Sequence, residues 1–209
     1  ILFLTFHLCM NVTALFSGDA YNTICELLGS NWYAIVGTLG LAFLAACHIV
    51  YAFILTAQNR RARGNERYAV TSRRPEVSWA SQNMLVLGLI ILLGLLLHLF
   101  NFWYNMMFAE IANLSTSIEP TDGFGWIEQT FSNPVYVVLY LVWLAAIWFH
   151  LTHGFWSAMQ TFGWNGKVWF NRWKVISQVY STLLVLGFLV VVVLFYLGCA
   201  PSLCCGSCC

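Results

Sequence analysis

Residues 83–108 read NMLVLGLIILLGLLLHLFNFWYNMMF, an apolar run with no charged side chain and one histidine, His98. A bilayer crossing needs about 20 predominantly apolar residues, so the run is read as a membrane span, set between about Ser81 and Tyr104. Working outward, four more apolar blocks follow the same rule: Ile1 to Phe16, about Trp32 to Ala57, about Pro134 to Phe162, and about Val175 to Gly198. The 209 residues are 60% hydrophobic and 8% charged, against roughly 25% charged for an ordinary soluble domain. Composition therefore excludes a soluble protein, and the expected fold class is all-α: a polytopic membrane protein built as a five-transmembrane-helix bundle.

The net charge of +1 conceals a strict sorting of charges by segment. Arg60, Arg61, Arg63, Arg67, Arg73 and Arg74 cluster between blocks two and three with only Glu66 and Glu76 among them, and Lys167, Arg172 and Lys174 stand together before block five. Both segments are expected on the cytoplasmic side by the positive-inside rule. Asp19 and Glu26 in one loop, and Glu110, Glu119, Asp122 and Glu128 in another, stand without a base and are expected outside. Alternating crossings then put the C-terminus outside. The expected location is the cell's inner, cytoplasmic membrane, with multiple passes.

Block one is short for a span and has no basic flank; it is read as a helix whose first turns are missing, with a secretory signal peptide as the alternative. Pro134 suits a first helical turn, and Gly163 after Phe162 suits a C-terminal cap followed by an interfacial Trp164. The polar stretch from Glu110 to Asn133 is long enough to hold a cap or short surface helix over the bundle. No internal repeat or low-complexity linker divides the chain. One transmembrane domain, 1–198, is expected, followed by a cysteine-rich tail, 199–209.

All five histidines fall inside apolar blocks: His7 in the first, His48 in the second, His98 in the third, His150 and His153 in the fourth. Ionisable side chains within spans are costly and point to function, although a membrane histidine also serves as a hydrogen bond between helices. Depth can be read from the distance to the nearest flanking charge. His7 lies twelve positions before Asp19 and His98 twelve before Glu110; His48 lies twelve before Arg60 and His153 fourteen before Lys167. At 1.5 Å per residue these are roughly 18 to 21 Å, which places His7 with His98 at an outer level and His48 with His153 at an inner one. The levels are on the order of 10 Å apart.

Two imidazoles facing one another across a bundle can fill both axial positions of an iron porphyrin, an arrangement suited to electron transfer. No C-x-x-C-H sequence is present, so the expectation is two heme b groups between helices one to four, bound without covalent attachment. Gly94, Ala45, Ala46 and Gly154 near the ligands suit close approach of a flat macrocycle, and equally suit ordinary helix packing in lipid. Zinc or copper is the metal alternative; it asks for three or four ligands at one level, and His150 is the candidate third at the inner level. A hydrogen-bonding or proton-relay role for His150 is preferred, with inter-helix packing beside it.

The segments FLTFHLCMNVTALFSG (3–18), LAACHIVYAFILTAQNRRARG (44–64), the 83–108 run, HLTHGFWSAMQTFGWN (150–165) and NRWKVIS (171–177) together resemble the one-subunit, five-helix, di-haem cytochrome b anchor of succinate dehydrogenase and fumarate reductase, over Ile1 to about Gly198. The resemblance implies His7, His48, His98 and His153 as haem iron ligands. It implies electron transfer from menaquinol through both haems to an iron-sulfur subunit and a flavoprotein subunit docked on the cytoplasmic face. The chain would then be a membrane cytochrome b subunit of an oxidoreductase complex that does no chemistry at carbon itself. Also implied as partners are quinone, the lipid bilayer and a second copy of the complex, with no nucleic acid. Direction, fumarate reduction or succinate oxidation, stays open.

Some members of that family carry a glutamate two residues before the fourth ligand, where this chain has Leu151, so the resemblance carries over no proton route there. By region the resemblance also points to Glu26 as the catalytic acid of quinol oxidation; a solvated or helix-capping acid is the other reading. At the inner face Gln82, Asn83, Arg172, Trp173 and Lys174 form a polar and aromatic girdle suited to docking or interfacial anchoring. Cys199, Cys204, Cys205, Cys208 and Cys209 lie beyond the resemblance, with disulfide pairing as the first reading, ahead of lipid attachment, metal binding or no folded role. Cys9, Cys25 and Cys47 read as small apolar residues. The competing functions are a di-haem anchor of another quinone-linked respiratory oxidoreductase, and a membrane metal or haem transporter with no redox role.

Overall fold

The computed structural model describes residues 1–64, 79–200 and 202, and every regular element among them is helical. In chain order these are α1 (Leu2–Phe16), α2 (Gly18–Leu27), α3 (Trp32–Arg63), α4 (Trp79–Gln82), α5 (Met84–His98), a π-helical stretch (Leu99–Phe108), α6 (Ala109–Ala112), α7 (Gly123–Phe131), α8 (Pro134–Thr161) and α9 (Lys167–Tyr196). Four helical stretches are long and apolar enough to cross a membrane: Trp32–Ala62, Met84–Ala112, Pro134–Thr161 and Lys167–Tyr196. The chain is a multi-pass helical membrane protein. Of the five expected spans, the first is the shorter apolar helix α1, whose 15 residues extend about 22 Å.

The caps follow the local chemistry. Pro134 opens α8 behind Asn133, whose side chain accepts from the Val135 amide at 2.9 Å. Gly163, at φ 78°, closes α8; its amide donates to Gln160 O and the Trp164 amide to Met159 O, the paired bonds of a left-handed C-terminal cap. The expected surface helix in the outer stretch is α7, capped by Asp122, and it buries Trp126, Ile127 and Phe131. The segment read as a loop around Asp19 and Glu26 is instead a helix, α2, started by the Ser17 hydroxyl accepting from the Ala20 amide.

The core joins α1, α2 and α7 to α8 and α9 through Ala14, Leu15, Tyr21, Ile127, Phe131, Leu144, Leu184, Val191 and Phe195. At the α8–α9 seam the buried Ser177 hydroxyl donates to the carbonyls of Leu151 and Thr152, so a small polar residue lets the two backbones approach. The α5–α8 seam closes differently. A Cβ at Gly94 would lie 2.1–2.4 Å from the Trp143 indole, and that indole donates to Ile91 O at 3.0 Å. Gly94 therefore serves helix packing, the second of the two readings open for it.

Two features set the stage for the histidines. Past His98, Asn105 donates its amide to the carbonyls of Phe100 and Asn101 (2.9 and 3.1 Å), satisfying backbone acceptors within the wide π turns. Helix α3 has no fully buried residue among those described and stands at the side of the bundle; of its six partly covered positions, Ala34, Thr38, Ala45, Ile49 and Thr56 recur on one face and Ile35 lies off it. Arg67, Arg73, Arg74, Glu66, Glu76 and the tail cysteines Cys204, Cys205, Cys208 and Cys209 lie outside the described residues, so the arginine-rich loop and the tail pairing have no structural reading.

Replacing Gly94 by Ala should lower stability by about 1–3 kcal/mol through overpacking against Trp143. Thermal unfolding of the purified chain in detergent reads the loss, and a Gly94→Ala/Trp143→Leu double variant should recover part of it.

Candidate functional site

Helix α1 carries His7, and the end of α5 carries His98; their ring centroids are 5.8 Å apart and their planes nearly perpendicular, at 83°. Phe3 stacks on His7 at 5.5 Å and Phe188 of α9 approaches it at 5.7 Å. His98 is enclosed by Phe102, Trp143 and Tyr140 at 5.1, 5.4 and 6.2 Å. Asn11, one turn after His7, places its amide nitrogen 3.3 Å from His7 Nδ1 and accepts at its oxygen from the Tyr21 hydroxyl at 3.3 Å. Side chains thus link α2, outside the spans, to the first histidine.

A second pair lies elsewhere in the bundle. His48 of α3 faces His150 of α8 with centroids 6.1 Å apart at 80°. His153, the expected inner partner of His48, sits one turn further along α8 with its ring 5.0 Å from Trp156. Tyr140, Trp143, His150 and Gly154 share a helical stripe on α8, and that helical spacing is the signal by which His150 and Trp143 could have been placed beside the other histidines.

Perpendicular aromatic rings at 4.5–7 Å also occur as simple packing, so the nitrogens carry the distinction. His98, His150 and His153 each bury an Nδ1 with no hydrogen-bond partner, which an apolar contact cannot satisfy and which is costly in hydrocarbon. Two imidazoles holding one metal from opposite sides at about 2 Å each place their ring centroids roughly 6 Å apart. Among the described residues no group of three or more His, Cys, Asp or Glu side chains gathers. Those residues therefore assemble no zinc or copper site of three or four such ligands.

Glu26 is exposed and lines an outer recess of about 500 Å³ with Asp19, Asn22, Thr23, Glu119, Thr121 and Asp122. Asp122 is engaged there, accepting from the Asn22 side chain at 2.8 Å and from the Gly125 amide at 2.9 Å. Beside it, burial pushes the Cys25 thiol up to about 11, with Asp122 adding to the effect. Burial and the neighbouring Cys25 also hold the Tyr21 phenol well above its usual range, so it remains a donor to Asn11 across the working pH range.

These helices, with histidines facing one another between them, define a polytopic membrane protein, an architecture shared by receptors, transporters and electron carriers. The family model of the serpentine type 7TM GPCR receptor class ab chemoreceptors matches residues 1–160, and the chain belongs to that family. No curated protein and no solved structure matches it. Its described residues supply four helices of spanning length together with the shorter α1.

The family match corrects the expected identity. The chain is not placed with the cytochrome b anchors of succinate dehydrogenase and fumarate reductase. With that fall the quinol-oxidising respiratory subunit, the flavoprotein and iron-sulfur partners, the complex homodimer, and the alternatives of another respiratory anchor or a haem transporter. The physical reason is that the matching segments are mostly lipid-facing apolar sequence, which any helical bundle supplies, leaving a few histidine positions to carry the distinction.

Iodoacetamide should label Cys25 about a hundredfold more slowly at pH 8 than a free thiol peptide, because a thiolate must form first and its pKa is raised. The rate, followed by peptide mass spectrometry, should keep rising toward pH 11. A plateau near pH 9 would contradict the enclosure of this thiol.

Proposed function

We propose that this chain is a membrane chemoreceptor-type protein whose ligand site is the set of histidine pairs between its spans, and that heme b is the ligand those pairs accept. The observation that carries the reading is the facing of His7 with His98 and of His48 with His150 at about the separation of two axial ligands, with buried imidazole nitrogens lacking partners. His7 and His98 would hold the outer group. His48 would hold the inner one with α8, through His150, whose ring faces it, or through His153 one turn away. Bound haem would supply an iron able to take imidazole nitrogens. The chain would supply those imidazoles and the aromatic surroundings of Phe3, Phe102, Trp143 and Phe188.

A receptor also needs an element that responds. Helix α3 suits that part, because it is lightly packed while the α8–α9 seam is tight. A ligand that joins His48 to α8 would draw α3 toward the bundle, and only such differential contact shifts a conformational equilibrium. The reading includes five crossings with α1 as the first. It places Arg60, Arg61, Lys167, Arg172 and Lys174 on the cytoplasmic side and the C-terminus outside, following the charge asymmetry. Glu26, exposed in the outer recess, is assigned to the outer face and given no catalytic step.

Optical titration of the purified full-length chain with haem should show two sites per chain with the absorption of a six-coordinate low-spin b-type centre. His7→Ala and His98→Ala should each remove one site, and His48→Ala the other; His150→Ala against His153→Ala identifies the ligand on α8. Absence of stoichiometric binding by a chain that retains its near-ultraviolet circular dichroism would overturn the proposal.

A further inference from the structure

At the basic end of the bundle, Gly163, Trp164, Gly166, Trp169 and Trp173 line a recess of about 400 Å³ between the end of α8 and the start of α9. Its wall is ordered. The Trp173 indole donates to Trp164 O at 2.9 Å, the rings of Trp164 and Trp173 lie near parallel at 6.4 Å, and Trp169 leans on Trp173 at 5.6 Å. Its floor is open, since a Cβ at Gly163 or Gly166 would meet nothing within 4 Å. The Arg172 guanidinium lies over the Trp169 ring at 5.2 Å. Stacking occupies the face of a guanidinium and leaves its in-plane N–H donors free for a two-pronged bond to a phosphate.

The sequence that forms the recess carries bases and no acid. Lys167, Arg172 and Lys174 lie within eight positions, and no acidic residue occurs anywhere from Gln129 to Gly198. Lys174 turns to the other side of α9, over Phe170 at 4.3 Å and Trp156 at 5.1 Å, leaving Arg172, stacked on Trp169, as the base at the recess. Position selects among anions. The recess joins the ends of two spanning helices, where headgroups lie, and the exposed rings of Trp164, Trp169 and Phe162 extend its wall with the amphipathic surface favoured at a membrane interface.

We propose that this recess is a binding site for one anionic phospholipid, its phosphate held by Arg172 and its glycerol and upper acyl chain against Trp164, Trp169 and Trp173. Basic pockets between spans recognise such headgroups through charge, and the aromatic wall here adds shape. The site is independent of the histidine pairs and stands whether or not they bind haem.

Native mass spectrometry of the full chain in detergent, with phosphatidylglycerol or phosphatidylcholine added, tests it. Phosphatidylglycerol should be retained as a single adduct well above phosphatidylcholine. Arg172→Ala should weaken it roughly five- to tenfold, while Arg60→Ala, at the end of α3, should leave it unchanged. Arg172→Lys should retain only part of the binding, and Trp169→Leu should weaken it with the charge intact, so a variant that fails to fold does not decide the matter. Equal retention of the two lipids, an Arg60→Ala effect as large as that of Arg172→Ala, or full displacement by millimolar inorganic phosphate would overturn the proposal, the last by marking a site for free anion.

Discussion

A histidine enclosed among hydrocarbon side chains has two ring nitrogens and no water for either of them. The organisation of this protein follows from that constraint. Five histidines are set into the apolar segments, and the fold gathers four of them into facing pairs, His48 alone from an exposed position. His7 finds partial relief in Asn11, which is tied in turn to Tyr21. His98 and His150 find none on Nδ1. Where protein donors and acceptors do not complete a buried polar group, a ligand that does so binds with the cost of burial already met by the fold.

Packing keeps the pairs in place by unequal means. One side of the bundle is fastened by small residues and indoles: Ser177 against the α8 carbonyls, Gly94 beneath Trp143, and Gly187 against Leu8. The other side is α3, joined by side-chain contacts such as Thr38 with Met107 and His48 with His150. A rigid wall facing a loosely held helix can register occupancy of the space between them. The π turns after His98 add a local departure from regular helix at the same level, with Asn105 occupying the carbonyls there. Such departures recur at functional positions.

Much of this was legible in the sequence because it rests on strong local physics. Apolar length gave the spans, Asn133 with Pro134 gave the start of α8, Gly163 gave its end, and Asp122 with the apolar residues behind it is consistent with the surface helix α7. Helix α2 was hidden because its amphipathic stretch is short and polar enough to read as loop. Distance to flanking charges resolves depth to about a turn, so it could not choose between His150 and His153, which lie one turn apart on nearly the same face. Identity was the least legible part. Lipid-facing sequence is chosen for hydrophobicity alone, and several unrelated bundles satisfy it equally well, as the class ab chemoreceptor match over residues 1–160 demonstrates.

The most direct test of the account is nitrogen-15 solid-state NMR of the histidine-labelled full chain in bilayers, recorded before and after addition of haem. The account predicts that the ring-nitrogen resonances of His7, His98, His48 and one histidine of α8 move together to metal-coordinated positions while the remaining histidine stays where it was. Five unchanged imidazoles in a folded, haem-exposed chain would show that the facing pairs are packing contacts and that the ligand site lies elsewhere.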